Sequence, residues 1–172
     1  GLLVKADSLG HVEWNRTYEG TSNNRLSIFK TSDGGYVTTG VMEGKTWLRK
    51  VNALGDALWN KTYEMDATCV VQTGDSGYIF VGNILLKIDA LGNILWSRPI
   101  EGSWVAESEG GYIISLEAGG NHVQLIRTDA EGNMEWNKTR VLIDPMSPSS
   151  GGLLGMIGTN DGGILLTGWS YG

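Results

Sequence analysis

One motif recurs four times along the chain, as Asp7-x-x-Gly10-x-x-x-Trp14, Asn52-x-x-Gly55-x-x-x-Trp59, Asp89-x-x-Gly92-x-x-x-Trp96 and Asp129-x-x-Gly132-x-x-x-Trp136. A basic residue stands two positions before each acid or amide (Lys5, Lys50, Lys87, Arg127), and a leucine stands four before (Leu3, Leu48, Leu85, Leu125). A sequence with this period stacks copies of one small unit, because a single copy cannot bury its own apolar faces. A second block repeats in the same order: Asp33-Gly34-Gly35-Tyr36, Asp75-Ser76-Gly77-Tyr78, Glu109-Gly110-Gly111-Tyr112 and Asp161-Gly162-Gly163-Ile164. An acid followed by a small flexible pair suits a tight hairpin turn that needs a positive φ. Strands are therefore expected on both sides of it.

The strands before the second block, here A, are Ser27 to Thr31, Cys69 to Thr73, Ser103 to Glu107 and Gly155 to Thr159. Those after it, B, include Tyr78 to Val81 and Ile164 to Thr167. Strand C is the Leu-x-Lys-x-Asp segment, and strand D carries the Trp. Four-stranded antiparallel units of this length match the blade of a β-propeller. The expected fold is all-β: a four-bladed β-propeller forming a single domain over residues 1–172. Three blades cover 19–63, 64–100 and 101–140. The fourth is split, with 155–168 at one end and 169–172 plus 1–18 at the other. Pairing strand B from the C-terminal end with strand C from the N-terminal end would close the ring and remove its open sheet edges. The alternative is a piece of a larger propeller. Small residues six before each A-to-B turn acid (Ser27, Cys69, Ser103, Gly155) fit inner strands crowded near an axis.

The Asp-x-x-Gly-x-x-x-Trp unit resembles the tryptophan-docking motif of quinoprotein-type propellers, in which the Trp of one blade packs on the next. The longer pattern Leu-x-Lys-x-Asp-x-x-Gly-Asn-x-x-Trp, followed by Thr-x-Asp-Gly-Gly-Tyr, is similar to propeller repeats of archaeal and bacterial surface proteins. Ile84 to Trp96 and Thr31 to Tyr36 carry it best. The resemblance spans the chain and implies a fold, an extracellular or cell-surface setting, and no common enzymatic activity. It departs from redox quinoproteins, since four short blades leave no quinone pocket or calcium insert, so no cofactor is expected.

A net charge of −6 repels the phosphate backbone and excludes nucleic acid as a partner. No run approaches eighteen apolar residues, so membrane insertion is not expected, and a closed ring would be monomeric. The single Cys69 excludes an internal disulfide and reads as a small packing residue. Catalytic chemistry finds little support. His11 sits inside a repeated turn whose equivalents are Asp56, Asn93 and Asn133, and the acids of the A-to-B turns repeat in every unit, which marks scaffolding. The Lys5/Asp7 pair and its equivalents read as a repeated ion pair or turn contact. Asn15-Arg16-Thr17, Asn60-Lys61-Thr62 and Asn137-Lys138-Thr139 have the N-glycosylation pattern, and their repetition equally suits the polar face of a strand.

In a meander the A-to-B and C-to-D turns share one end of the blade, and the B-to-C and D-to-A connections share the other. Repeated turns mark the first end. The second carries irregular connections, where binding residues are placed on a rigid scaffold. Its candidates are Asn23, Asn24 and Arg25; Glu43, Lys45 and Trp47; Asp66; Asn121 and His122; Asp144 and Met146; and Trp169 with Tyr171. The expected ligand contacts are Trp47, Trp169, Tyr171, Arg25, His122 and Asp144, with Trp47 and Trp169 stacking on a sugar or anchoring a protein. The expected function is a noncatalytic recognition or adhesion module binding a protein or glycan. The alternatives are a carbohydrate-active enzyme using Glu43, Asp66 and Asp144, and a structural spacer.

Overall fold

The computed structural model describes residues 1–18, 27–119, 122–141, 151–159 and 161–170, with the side chains of 151–152 and 169–170 excepted. Among these residues there are sixteen strands and no helix. The chain groups into two compact units, Gly1–Asp66 and Ala67–Gly172.

In the first unit β1 (Leu2–Ala6) and β2 (Val12–Thr17) form a two-stranded antiparallel sheet. The strands β3 (Ser27–Lys30), β4 (Tyr36–Met42), β5 (Lys45–Val51) and β6 (Ala57–Tyr63) then form a four-stranded meander in chain order. The second unit opens with the meander β7 (Ala67–Gln72), β8 (Tyr78–Gly82), β9 (Leu85–Ile88) and β10 (Ile94–Arg98). It repeats as β11 (Trp104–Ser108), β12 (Gly111–Glu117), β13 (His122–Asp129) and β14 (Met134–Val141), and ends with the pair β15 (Gly151–Gly158) and β16 (Ile164–Ser170). The A, B, C, D reading thus holds across three full blades and two half-blades. The expected ladder between β16 and β1 is not among those formed by the described residues, where β1–β2 and β15–β16 are separate two-stranded sheets. The sequence contains two complementary halves, but β1 and β16 belong to different units and residues 171–172 lie outside the described residues.

Residue choice follows strand position. Strands B and C occupy the middle of each sheet with both faces covered, so β8 (YIFVG) and β9 (LLKI) are buried throughout and read as apolar runs rather than alternating ones. Strand D lies at the sheet edge and alternates, as in β10 (ILWSR). In the second unit a core of Ile79, Val81, Leu85, Ile100, Val105, Tyr112, Ile114 and Ile126 joins the two full sheets. Ala106, Ile113 and Met156 continue it to the last hairpin. Each such side chain contributes about 1.5–3 kcal/mol by leaving water. Strand β11 packs between β7 and β15, and small groups permit the approach: the Cys69 thiol lies 4.0 Å from the Val105 carbonyl oxygen, and Gly158 sits against the Glu107 carbonyl.

One position breaks this pattern. Thr128 on β13 is fully buried with its hydroxyl unbonded, where the equivalent residues of the other full blades are Val51 and Ile88. Burying an unpaired hydroxyl costs about 1–3 kcal/mol. Thr128→Val is therefore expected to raise stability by about 1 kcal/mol, read as a higher denaturation midpoint at unchanged slope.

Candidate functional site

The two ends of the blades differ in chemistry, beginning with the A-to-B turns. In the turn Thr31 to Gly35, the Gly34 amide donates to the Thr31 carbonyl (3.0 Å) and the Thr31 amide to the Gly35 carbonyl (2.9 Å), with Gly34 at φ +82°. The next blade makes the same turn with Ser76 at φ +66°, a conformation that glycine adopts without strain. The aspartate organises the turn. Asp33 Oδ1 accepts from the Gly35 amide (3.0 Å), from the Thr31 hydroxyl and from Lys50 Nζ (2.8 Å), and Lys50 also donates to Thr31 Oγ1 (2.9 Å). Lys87 repeats this on Asp75 and Thr73, at 2.8 Å to each. The third copy changes as a set: Arg127 replaces the lysine and donates to Ser108 Oγ, to the Glu109 carbonyl and to Glu135.

These contacts correct the sequence reading of the repeated Lys-x-Asp. Lys50 and Lys87 bond the acid of the A-to-B turn, not the acid or amide two residues on. The reason is register: Lys87 on β9 lies opposite Ile79 on β8, which brings its ammonium to the mouth of the preceding turn. The second residue of the pair serves its own C-to-D turn. Asp89 Oδ1 accepts from the Leu91 amide (2.9 Å) and the Asn93 amide (2.8 Å), and Asn52, Asp7 and Asp129 act alike, each on the residue four positions on.

Bonding to Lys50 and Thr31 holds the Asp33 carboxyl at about 2, against partial burial that opposes it. For Asp75 burial is the largest influence and raises the value, but Lys87, Thr73 and the Gly77 amide together outweigh it and leave the carboxyl at about 2. Both folded values lie below the unfolded value of about 3.9, so the stabilisation is complete above about pH 4 and lost as pH falls toward 2. The melting temperature is therefore expected to drop across that window, with a smaller drop in Asp75→Asn, checked by thermal unfolding at stepped pH.

The C-to-D turn also seats the Trp of the preceding blade. Trp14 Nε1 donates to the Ala53 carbonyl (3.1 Å), its ring meets Tyr36 edge-on at 6.2 Å, and a methyl group at Gly55 would stand 2.8 Å from it. Trp96 lies likewise on Gly132 and against Tyr112, whose hydroxyl burial pushes up to about 12.

At the other end the connections differ from blade to blade. In the first unit Glu43 (φ 53°) and Gly44 (φ 74°) form a two-residue turn between β4 and β5, and Lys45 bonds Glu64 at 2.7 Å. Glu43, Lys45, Glu64 and Asp66 are exposed. In the second unit the His122 amide donates to the Gly119 carbonyl (3.1 Å), with the exposed imidazole Nδ1 3.3 Å from the same oxygen, and Glu117 Oε1 accepts from the Leu153 amide at 2.7 Å.

The structure places Trp47 within β5 rather than on a loop, only 6% exposed, with its ring laid on Gly40 and the Arg49 guanidinium 5.9 Å away. Its indole is covered and does not offer a stacking face. The close approach to Gly40 was the missed signal, a glycine directly opposite the Trp in the β4–β5 register. Trp169 is on β16 with its side chain outside the described residues; Arg25, Asp144 and Tyr171, together with Asn23, Asn24, Asn121 and Met146, also lie outside them. Burial raises the Cys69 thiol above its ordinary value, which disfavours the reactive thiolate. Among the described residues no group of three or more His, Cys, Asp or Glu is placed to hold a metal ion, and no helix is long and apolar enough to cross a membrane.

No protein-family model matches the sequence, and no curated protein does. Among solved structures the chain is similar to BamB from Moraxella catarrhalis, a β-propeller, at 16% identity and a TM-score of 0.51, over 80% of this chain and 42% of that one. The chain thus spans less than half the length of this neighbour, and the likeness supports a propeller-like arrangement of its four-stranded antiparallel blades.

Proposed function

We propose that the chain is a noncatalytic recognition module of a surface or secreted protein, which binds a protein partner at the end formed by the B-to-C and D-to-A connections. The observation that carries this reading is the division of labour between the two ends. Polar groups of the repeated turns are used by their own turn and the neighbouring strand, as in Asp33 with Lys50 and Asp89 with Leu91 and Asn93. The irregular connections carry exposed charged and ring groups in an arrangement that differs between blades, Glu43 beside the Lys45–Glu64 pair in one and His122 at the Gly119 carbonyl in another. Stacking on a sugar ring loses its support, because the one described aromatic candidate, Trp47, is covered.

The same proposal includes ring closure. Lys50 and Lys87 each hold a Thr and an Asp of an A-to-B turn, whereas Lys5 bonds Glu13 on its own hairpin. The Thr159 hydroxyl donates to Asp161 Oδ1, which also accepts from the Gly163 amide. Each half-blade holds the part of the cluster that the other lacks, and joining β16 to β1 would give a fourth blade and a closed monomeric ring.

The test is a binding measurement on any partner cross-linked to the protein in its source cells. A triple Glu43→Ala, Lys45→Ala, Glu64→Ala variant is expected to lose that partner at unchanged melting temperature, while Leu9→Ser and Leu54→Ser at the repeated turns of the same unit keep it. The reverse pattern refutes the placement. Turnover of a glycan panel abolished by Asp144→Asn would replace recognition with catalysis.

A further inference from the structure

Strand D is the terminal strand of every sheet that contains it, so among the described residues β2, β6, β10 and β14 each stand at a sheet edge. Such an edge invites pairing with another chain unless something blunts it. Three of these strands carry Asn-x-Thr at the same position, directly after the Trp: Asn15 to Thr17, Asn60 to Thr62 and Asn137 to Thr139. The fourth carries Ser97-Arg98-Pro99 instead. It is also the shortest, at 5 residues against 6, 7 and 8, and proline directly after it ends the strand.

The neighbouring residues of the motif have structural work that the Asn and Thr lack. Trp14 and Trp96 pack on the next blade, and the cation at the middle position covers a Trp ring: Arg16 at 5.9 Å, Arg98 at 5.3 Å and Lys138 at 4.8 Å. The three Asn and three Thr side chains are exposed, and being two apart on a strand they share one face. The amide groups of Asn15 and Asn60 make no hydrogen bond among the described residues, and Asn137 uses only its oxygen, accepting from Gln124 Nε2 at 2.9 Å.

We infer that Asn15, Asn60 and Asn137 are N-glycosylation acceptors, and that the glycans guard the open edges of β2, β6 and β14 where Pro99 ends the edge of β10. The inference rests on the surface or secreted reading above. The donor class is a lipid-pyrophosphate-linked oligosaccharide: the asparagine Nδ2 forms a bond to the anomeric carbon, the bond from that carbon to phosphate breaks, and lipid pyrophosphate leaves as the amide loses one proton.

The protein is isolated from its source cells, with cell-surface, secreted and internal fractions kept separate, and its peptides are read by mass spectrometry. Glycan mass is expected on the peptides containing Asn15, Asn60 and Asn137. It is lost in Asn15→Gln and equally in Thr17→Val, which keeps the asparagine and the strand, and it is gained in the double variant Ser97→Asn, Pro99→Thr. Three unmodified asparagines in exported protein overturn the inference and leave the recognition reading intact. Recovery of the protein only from the interior, unmodified, overturns both.

Discussion

Asp75→Ala is expected to cost about 3 kcal/mol of unfolding free energy. Lys87 Nζ reaches the turn through a side chain only 3% exposed, and its ion-pair partner is Asp75, 2.8 Å away. Removing the carboxylate leaves a buried ammonium with the Thr73 hydroxyl and the Ile88 carbonyl for contacts, and stripping one partner from a buried pair costs about 3–5 kcal/mol. The low end applies because the Asp75 side chain is 58% exposed and the vacated space admits water. Lys87→Met should cost less than Asp75→Ala, since it removes the buried charge and leaves an acid that water can solvate. Denaturant midpoints of the two variants decide this; equal costs, or the opposite order, would show that the lysine is not the group at stake.

Trp96→Ala is expected to cost about 3 kcal/mol, the low end for deleting a large ring from a packed site, because the ring is half-buried. The ring fills the space over Gly132, contacts Tyr112 at 5.9 Å and has the Arg98 guanidinium 5.3 Å from its centre. Gly132→Ala approaches the same contact from the other side. Its methyl would stand 2.7 Å from the Trp96 ring, and the backbone there has φ +79°. Because the two changes damage one contact, the double variant should lose less than the sum of the singles. Additive losses would mean that Trp96 and Gly132 act independently.

Much of this was legible in the sequence because it repeats. Four copies of Asp-x-x-Gly-x-x-x-Trp fixed where strands C and D and their turn fall, and the structure adds the physical reason, an Asp or Asn carboxyl or amide oxygen that closes the turn and a glycine on which a Trp can lie. The partner of the repeated lysine was not legible. Sequence proximity suggested the acid two residues on, but cross-strand register selects the acid of the previous turn, and register is a property of two strands together. Trp47 failed for a related reason: beside Lys45 and Glu43 it looked like a loop aromatic, and only the pairing with Gly40 shows that its ring has a covered seat. The irregular connections do not repeat, so no comparison within the chain constrains them, and of the five expected ligand contacts besides Trp47 only the side chain of His122 is described.

Hydrogen exchange along β1 tests the account most directly, because the proposal of four equal blades requires that strand to be paired on both sides. In a two-stranded sheet only the β1 amides that face β2 are held, and the alternate ones exchange as in an open strand. Closure with β16 predicts that every amide from Leu3 to Ala6 is protected to the degree seen along Leu48 to Val51 of β5. Rapid exchange of alternate β1 amides in the monomer would contradict it and leave two separate half-blades.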